Sequence, residues 1–278
     1  MTGGAGFVGS SLCEKISKDH DVYSLDNYSI GTKDNHIKGV NYIKGNVSQI
    51  LNIDIDTDFD VCFHFAGLSR IQPSFLNPTE TFMSNTLGTQ MVLEWCRLNN
   101  TKMIYSGSSS RHYNHYQSPY ATCKYLGEEL CKMYREVFKL DVNITRFYNV
   151  YGPKEITKGE WAAVIGLWRN QIKEGEPITI VGNGEQKRDF THVDDIIDAL
   201  IRIMNSNEYS EDAWELGTGV NYSIKEVASM FVEKFNTKVE FIEDQPGNYQ
   251  ETLRKDQSPI KKLNWHPENK LYKYIMSL

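Results

Sequence analysis

The amino-acid sequence predicts an α/β protein with a doubly wound parallel sheet and a smaller C-terminal α/β domain. In the first half of the chain, short apolar segments typical of strands alternate with longer segments of helical periodicity, which is the pattern of parallel strands covered by helices. The chain also opens with the glycine-rich segment TGGAGFVGS, which can form a tight turn before a helix. Its 278 residues, 40% of them hydrophobic, suffice for a substantial core.

Each element of the first half follows from a local signal. Apolar segments rich in β-branched and aromatic residues predict strands at residues 21–26, 40–45, 60–67, 102–108 and 142–152. Helical periodicity predicts helices at residues 8–17, 79–98 and 120–138. The second helix follows Asn77-Pro78, which is a start signal because proline tolerates the first helical position.

The pattern becomes less regular after Pro153. Helices are predicted at residues 161–175, 193–204 and 224–235, with a strand and turn from Ile178 and another strand near Trp214. We therefore predict two domains, one over residues 1–152 and a smaller one over residues 153–278. The helix and strand within residues 193–218 are expected to return and pack on the first domain.

Composition and charge exclude several functional classes. The formal net charge is −6 and no run of Lys or Arg exceeds two residues, so nucleic acid is not an expected partner. No apolar segment approaches the ~18 residues of a membrane helix, and no signal peptide precedes the glycine segment. The five cysteines lack CxxC spacing, and only His112 and His115 form a close histidine pair. We therefore expect reduced thiols, a cytoplasmic protein and no metal site.

The glycine segment has the spacing of a phosphate-binding loop. Gly3, Gly6 and Gly9 form a GxxGxxG run, whose amides and following helix N-terminus can hold a dinucleotide diphosphate; the alternative is an ordinary glycine turn. Asp26 closes the next predicted strand, where a carboxylate accepts hydrogen bonds from both ribose hydroxyls and repels a 2′-phosphate. The spacing favours a Rossmann-type site for NAD over NADP.

The start of the chain poses a problem for this loop. Only Met1 and Thr2 precede Gly3, whereas such a turn normally follows a strand at the centre of the sheet. We therefore predict that Met1 ends a strand that roughly four to six residues upstream would complete.

A second group of residues has the pattern of an acid–base site. Tyr120 and Lys124 in SPYATCK share one helix face, where an ammonium lowers the pKa of a phenol toward the range of a general base. The YxxxK pattern also arises by chance, but here it follows a strand end, where ligands of parallel sheets bind. Ser108, or Ser109 next to it, can donate to a substrate oxygen; the alternative is a serine-rich turn.

Two further polar residues are candidates with open alternatives. Asn85 lies within a predicted helix, where asparagine is unfavourable unless its side chain has a partner; the alternative is a solvated side chain. Arg188 follows the loop VGNGEQ and can clamp a diphosphate through bidentate hydrogen bonds. The alternative is a surface ion pair with Asp189.

Seven segments resemble, in order, the extended short-chain dehydrogenase/reductase family in its nucleotide-sugar epimerase/dehydratase branch. They are TGGAGFVGS, DNYSIG, HFAGLSR, NTLGT, SPYATCK, RFYNVYGP and RDFTHVDD. The resemblance covers nearly the whole chain and is strongest to UDP-glucose 4-epimerases and their UDP-N-acetylhexosamine relatives. It implies that residues 1–152 bind NAD tightly and that residues 153–278 form a nucleotide-sugar-binding domain, with a UDP-linked sugar in the cleft between the two. It also implies a homodimer formed through the Thr79 and Tyr120 helices.

The resemblance also implies roles for individual residues. Tyr120 is the base that removes the proton of the sugar 4-hydroxyl as C4 gives its hydride to NAD+, Lys124 holds the nicotinamide ribose and tunes Tyr120, and Ser108 assists. The 4-keto sugar then turns over and takes the hydride on its other face. Cofactor positions are matched by Gly3, Gly6, Phe7, Val8, Gly9, Asp26, Asn27, Asn46, Val47, Phe65, Ala66, Gly67, Asn85, Ser106, Tyr120, Lys124, Tyr148 and Val150. Substrate positions are matched by Ser69, Ser108, Ser109, Asn149, Arg188, Gln245 and Thr252.

Missing residues select among the reactions of this family. The 4,6-dehydratases carry an Asp-Glu pair after the catalytic Ser or Thr, and uronate decarboxylases bring an acidic residue there, whereas Ser109 and Ser110 stand here. Fucose-type reductase-epimerases pair a cysteine with a histidine, but no cysteine accompanies His112. We therefore predict a 4-epimerase of a UDP-hexose or UDP-N-acetylhexosamine. A nucleotide-sugar reductase or C3/C5-epimerase and a non-catalytic NAD-binding module remain alternatives.

The chain also departs from the usual 4-epimerase pattern. The loop between Ser108 and Tyr120 is shorter than in most members, Asn46 replaces the usual adenine-binding Asp, and Gln245 replaces a second diphosphate arginine. Thr252 falls where a bulky residue excludes N-acetyl sugars in some relatives, so a smaller residue favours tolerance of an acetamido group.

Overall fold

The protein is described by a computed structural model that covers residues 1–55 and 57–278. The strands are β1 (Val22–Asp26), β2 (Val40–Lys44), β3 (Val61–His64), β4 (Lys102–Ser108), β5 (Val142–Phe147), β6 (Val150–Tyr151), β7 (Ile178–Val181), β8 (Lys187–Asp189), β9 (Thr191–His192), β10 (Trp214–Leu216), β11 (Asn221–Ser223) and β12 (Val239–Ile242). The α-helices are α1 (Phe7–Ile16), α2 (Ile71–Leu76), α3 (Pro78–Phe82), α4 (Gly88–Leu98), α5 (Pro119–Phe138), α6 (Val164–Lys173), α7 (Val193–Asn205), α8 (Ile224–Phe235), α9 (Ser258–Leu263) and α10 (Leu271–Ser277).

The central sheet is parallel and has two halves joined by the first residues of the chain. One half is β2-β1 and the other is β3-β4-β5-β10. Thr2 bridges Leu25 of β1 and His64 of β3. The strand order therefore runs in opposite directions on the two sides of Thr2, which is the doubly wound arrangement that the sequence predicts.

Met1 and Thr2 occupy the position of a central strand between β1 and β3. The Met1 ammonium donates to the Tyr23 carbonyl at 2.6 Å, and the Thr2 N–H donates to the Phe63 carbonyl at 2.9 Å. Next to Met1, a small cavity between the two strands has walls that include Tyr23, Phe59 and Trp95. The sheet therefore has an apolar gap beside its first residue.

Helices cover both faces of the sheet. On one face α1 packs against α7, and their apolar residues join Trp214 of β10 and Trp265 in one core. On the other face α4 and α5 pack with the apolar residues of β4 and β5. The predicted helix 79–98 is α3 and α4 with a π-helical turn, Met83–Leu87, between them. Such a turn inserts an extra residue and often lies at a functional site.

A third core lies within the C-terminal part of the chain. Trp168 of α6, Phe231 of α8 and Leu271 of α10 are fully buried there beside the parallel pair β7-β12. A capping box between Ser223 and Glu226 begins α8, which satisfies two of its free N–H groups. In the part of the chain that the structure describes, no helix is long and apolar enough to cross a membrane.

Some predicted boundaries were wrong. The predicted strand 142–152 is broken at Asn149, whose φ of 25° is incompatible with extended backbone, so β5 ends at Phe147 and β6 pairs with β9. The predicted helix 161–175 begins only at Val164. The elements α2, α9, α10, β9, β11 and β12 are not predicted from the sequence, since each spans at most seven residues.

Candidate active site

A cleft of about 820 Å³ opens at the carboxyl ends of the central strands and extends to the C-terminal loops. It is lined by most of the predicted site residues: Gly3, Gly6, Phe7, Val8, Gly9, Asp26, Asn27, Val47, Phe65, Ala66, Gly67, Ser69, Ser106, Ser108, Ser109, Tyr120, Lys124, Asn149, Val150, Arg188, Gln245 and Thr252. The fold thus brings together residues from both ends of the chain in one cavity.

The glycine loop at one end of the cleft fits a dinucleotide diphosphate. Gly3 has a φ of 79°, and a Cβ atom on Gly9 would lie 2.2 Å from the Gly3 carbonyl oxygen, so both positions require glycine. Helix α1 begins at Phe7 without a side-chain cap, which leaves its first N–H groups free to bind an anion.

Asp26 is held next to this loop by backbone hydrogen bonds. Its Oδ2 atom accepts from the Ala5 N–H and its Oδ1 atom accepts from the Tyr28 N–H, both at 2.9 Å. Each carboxylate oxygen retains acceptor capacity for a ribose hydroxyl. The arrangement therefore suits the adenosine ribose of NAD and opposes a 2′-phosphate.

Asn85 does not line the cleft. It lies in the π-turn, where its Oδ1 atom accepts from the Leu68 N–H at 2.7 Å and its Nδ2 atom donates to the Leu68 carbonyl at 2.8 Å. Both bonds are buried. The Asn85 amide therefore positions the loop after β3, and the alternative of a solvated side chain is wrong.

Two other predicted cofactor residues have partners outside the cleft. The Asn46 side-chain oxygen, the predicted acceptor for adenine, accepts from the N–H and the hydroxyl of Ser48, both at 3.0 Å. The Tyr148 hydroxyl donates to Glu215 at 2.8 Å. Asn46 thus caps a short 3-10 helix. The Tyr148 hydroxyl is held by Glu215, which also accepts a buried hydrogen bond from Arg146.

Ser108, Tyr120 and Lys124 lie together where β4 ends and α5 begins. The Ser118 hydroxyl caps α5 by accepting from the Ala121 N–H at 3.1 Å, which places Tyr120 in the first turn and Lys124 one turn later. Burial raises the pKa of Tyr120, while a hydrogen bond with Ser108 and the charge of Arg70 act to lower it.

Lys124 is bound to the backbone of the preceding strand. Its Nζ atom donates to the Ser106 carbonyl at 2.7 Å, and burial lowers its pKa to about 8 although Glu128 acts in the opposite direction. The sequence suggests Lys124 as the cation that lowers the pKa of Tyr120. In the structure Ser108 and Arg70 act to lower this pKa, while the Lys124 ammonium is held at Ser106; the role of Lys124 toward Tyr120 stays a prediction.

Residues at the far end of the cleft come from separate parts of the chain. The Asn149 Nδ2 atom donates to the Asp189 carbonyl at 3.0 Å and to Thr252 Oγ1 at 3.1 Å. Arg188 donates to Asn248 at 2.6 Å, and burial lowers its pKa to about 10, so it remains charged at neutral pH. The Asp189 carboxylate accepts from backbone N–H groups of residues 218, 219 and 254, so the predicted alternative of an Arg188 ion pair is wrong.

Several polar residues of the cleft wall are not predicted from the sequence, among them Arg70, Glu155 and Tyr249. Arg70 and Glu155 line the cleft with Tyr120, and Tyr249 stacks on Tyr113 with ring centroids 4.4 Å apart. The Tyr249 hydroxyl is buried without a hydrogen-bond partner among the described residues. Arg70 had a usable signal, because it follows a strand end, whereas Tyr249 lies in an irregular loop that only tertiary packing brings to the cleft.

A serine at a strand end with a Tyr-Lys pair on the next helix, beside a glycine loop for NAD, defines a short-chain dehydrogenase/reductase type of active site. The sequence profile described as the NAD dependent epimerase/dehydratase family matches residues 1–217. The chain belongs to this family, and its cofactor is NAD.

Named proteins of this kind resemble the chain over most of its length. A UDP-glucose 4-epimerase of Mycolicibacterium smegmatis is 30% identical over 249 residues, which are 82% of this chain and 79% of that protein. A UDP-N-acetylglucosamine 4-epimerase of Methanobrevibacter ruminantium, solved with UDP-N-acetylmuramic acid, is 27% identical with a TM-score of 0.87 over 99% of this chain and 94% of that one. A UDP-glucuronic acid 4-epimerase of Bacillus cereus, solved with UDP-glucuronic acid and NAD, is 26% identical with a TM-score of 0.86 over 99% and 95% of the two chains.

Proposed function

We propose that the protein is an NAD-dependent 4-epimerase of a UDP-linked sugar. The observation that carries the proposal is the placement of Ser108, Tyr120 and Lys124 in the cleft, with serines at positions 109 and 110. This group can remove and return a proton at one sugar hydroxyl, but it lacks the acidic pair that eliminates water. Epimerisation through a transient 4-keto sugar needs only the first capability.

The proton at the sugar 4-hydroxyl is handled by Tyr120. When bound, NAD supplies the acceptor and donor of the hydride at C4. Tyr120 removes the hydroxyl proton as the phenolate; Ser108 and Arg70 stabilise this form because both act against the burial that raises the Tyr120 pKa. The same phenol returns the proton after the sugar has turned over, so Tyr120 ends the cycle in the state in which it began.

The far end of the cleft is proposed to bind the UDP group. Arg188 provides a half-buried guanidinium for the diphosphate, and Asn149, which lines the same cleft, is held by Thr252. The uridine assignment is supported by the names of the relatives, which act on or bind UDP-sugars. Gln245 lines the same region in place of a second diphosphate arginine, and the small Thr252 side chain there supports tolerance of an N-acetyl sugar.

The alternatives have less support. A C3/C5-epimerase of the fucose type needs a Cys-His pair, but no cysteine or histidine lines the cleft among residues 1–55 and 57–278. His112 instead contacts Glu215 at 2.8 Å. A non-catalytic NAD-binding module would have no need for the Ser108, Tyr120 and Lys124 group.

The proposal includes a division of labour, a dimer and a compartment. Residues 1–152 would bind NAD and residues 153–278 the nucleotide sugar, with residues 193–218 packing on the first part. A homodimer through the α3-α4 and α5 helices is supported by their exposed apolar side chains, among them Phe82, Leu98, Val137 and Phe138. A cytoplasmic location is supported by the five cysteines, which are all buried and unpaired in the described chain.

The function is tested by following inversion at C4. NAD-loaded protein is incubated separately with UDP-glucose, UDP-N-acetylglucosamine and UDP-glucuronate, and the products are identified by NMR. We expect at least one to equilibrate with its C4 epimer. Tyr120→Phe should abolish turnover while retaining NAD, whereas the exposed Tyr116→Phe serves as the matched control. NAD-loaded protein that inverts no UDP-sugar would contradict the proposal.

A further inference from the structure

Arg70 is a cation in the cleft wall with unused hydrogen-bond donors. It immediately precedes α2, and its Nε atom donates to the Trp161 carbonyl at 2.9 Å. In the described part of the chain, its two terminal amino groups have neither a hydrogen-bond partner nor a carboxylate at ion-pair distance. The side chain is therefore fixed at one end by a protein contact, while the planar end of the guanidinium can bind a ligand.

The charges around Arg70 leave an excess of positive charge. The carboxyl group whose charge acts on Arg70 is that of Glu155, and its Oε1 atom contacts Arg169 at 3.1 Å. The Glu155 carboxyl group is thus paired with Arg169 rather than with Arg70, and burial makes it easier to neutralise by raising its pKa to about 7. Glu160 also lines the cleft, but it is exposed. The positive nicotinamide of NAD+ would add to this excess.

Arg70 is half-buried in the cleft wall, and a guanidinium that is partly withdrawn from water is stabilised when an anion pairs with it. In the proposed complex, the NAD diphosphate lies at the glycine loop and the UDP diphosphate lies at Arg188. Arg70 acts on neither, since its neighbour is Tyr120, where the sugar ring reacts. The anion that remains is one carried by the sugar itself.

Resting on the proposed 4-epimerase function, we infer that Arg70 binds a carboxylate on the sugar ring and that the preferred substrate is therefore a UDP-hexuronate. A planar guanidinium with two free amino groups matches a carboxylate in a bidentate manner, whereas a neutral hydroxymethyl group uses only part of this capacity. Ser110 lines the same cleft, and its buried hydroxyl has no partner among the described residues. It offers a further donor for an acidic sugar.

The test compares an acidic and a neutral sugar on the same nucleotide. Initial rates of C4 inversion are measured with UDP-glucuronate and UDP-glucose for the NAD-loaded wild type, Arg70→Gln and the surface control Arg202→Gln. We expect the wild type to favour UDP-glucuronate by about 100-fold in kcat/KM. Arg70→Gln should slow both sugars because it also removes a charge that lowers the Tyr120 pKa, but its loss with UDP-glucuronate should be larger, so that most of the preference disappears. Arg202→Gln should behave as the wild type.

Equilibrium binding separates this inference from the proposed function. Titration calorimetry of each NAD-loaded variant with the two nucleotide sugars should give tighter binding of UDP-glucuronate, and Arg70→Gln should remove the difference. If neither sugar is turned over but binding still favours UDP-glucuronate in an Arg70-dependent manner, the epimerase function is contradicted and the carboxylate site at Arg70 is supported. Equal binding of both sugars by the wild type, or equal losses with both in Arg70→Gln, would overturn the inference.

Discussion

The side-chain amide of Asn85 makes two buried hydrogen bonds with the backbone of Leu68, at 2.7 and 2.8 Å. The π-turn in the helix that carries Asn85 brings it to the loop after β3. Ala66 and Gly67 of that loop line the cofactor end of the cleft. A residue outside the cleft thus sets the shape of its wall.

Asn85→Ala should therefore weaken both folding and NAD binding. It leaves the Leu68 N–H and carbonyl buried without partners, which costs about 2–3 kcal/mol of unfolding free energy. Urea denaturation and NAD titration of the apoprotein measure the two effects, with Asn41→Ala on the exposed edge of β2 as the control. Unchanged NAD affinity in Asn85→Ala would show that the loop holds its shape without the amide.

Asp26 should determine the choice between NAD and NADP. Its carboxylate is fixed by the Ala5 and Tyr28 N–H groups, so it meets a 2′-phosphate with an unscreened negative charge. We expect Asp26→Asn to reduce the ratio of NAD to NADP affinity by about tenfold, since one charge repulsion of about 1.4 kcal/mol is removed. Fluorescence titration with both cofactors measures this ratio, and the exposed Asp34→Asn is the control. A ratio that stays unchanged would exclude Asp26 from the ribose site.

Glu155 should make stability depend on pH. Burial raises its pKa from 4.5 to about 7 in the folded protein, so the folded state holds the proton more strongly than the unfolded state. The protonated Glu155 carboxyl group therefore contributes fully to the free energy of unfolding below about pH 4.5. This contribution is lost as the pH rises through about 7.

Glu155→Gln removes this loss because glutamine does not titrate. Relative to the wild type, the variant should gain about 2 kcal/mol of unfolding free energy between pH 5 and pH 8. Urea denaturation at the two pH values measures the gain, and Glu160→Gln, exposed on the same loop, should show none. If the unfolding free energies of the wild type and Glu155→Gln differ by the same amount at both pH values, the pKa of Glu155 is not raised by folding.

The gap beside Met1 should accept added strand residues. The Leu25 N–H donates to the Met1 carbonyl and the Phe65 N–H donates to the Thr2 carbonyl. Residues two positions apart on a strand direct their N–H groups to the same side, so the N–H groups of Tyr23 and Phe63 face the same gap. An extension by four apolar, β-branched residues ahead of Met1 can pair with both and fill the cavity beside Tyr23 and Trp95. The melting temperature should rise by several degrees.

The matched control for this extension is four Gly and Ser residues. A flexible polar segment has the same length but gains little from an apolar gap. If both extensions change the melting temperature equally, the gap does not act as a strand site.

Sequence alone determined the parts of this protein whose partners lie within one β-α unit. The glycine loop precedes its own helix and Asp26 ends the next strand, while Ser108, Tyr120 and Lys124 lie on a strand and the helix that follows it. For such groups, regular geometry and short connections fix the relative positions, so spacing predicts the site. The fold class followed from the same alternation.

Only the tertiary structure decided which polar side chains were already used and which remained free. Asn46 and Asn85 match cofactor positions, yet their amides are engaged by Ser48 and Leu68. Arg70 and Tyr249, from distant segments, reach the cleft with unused donors. Hydrogen bonds and charge balance depend on contacts between residues far apart in the chain, and neither periodicity nor spacing encodes those contacts locally.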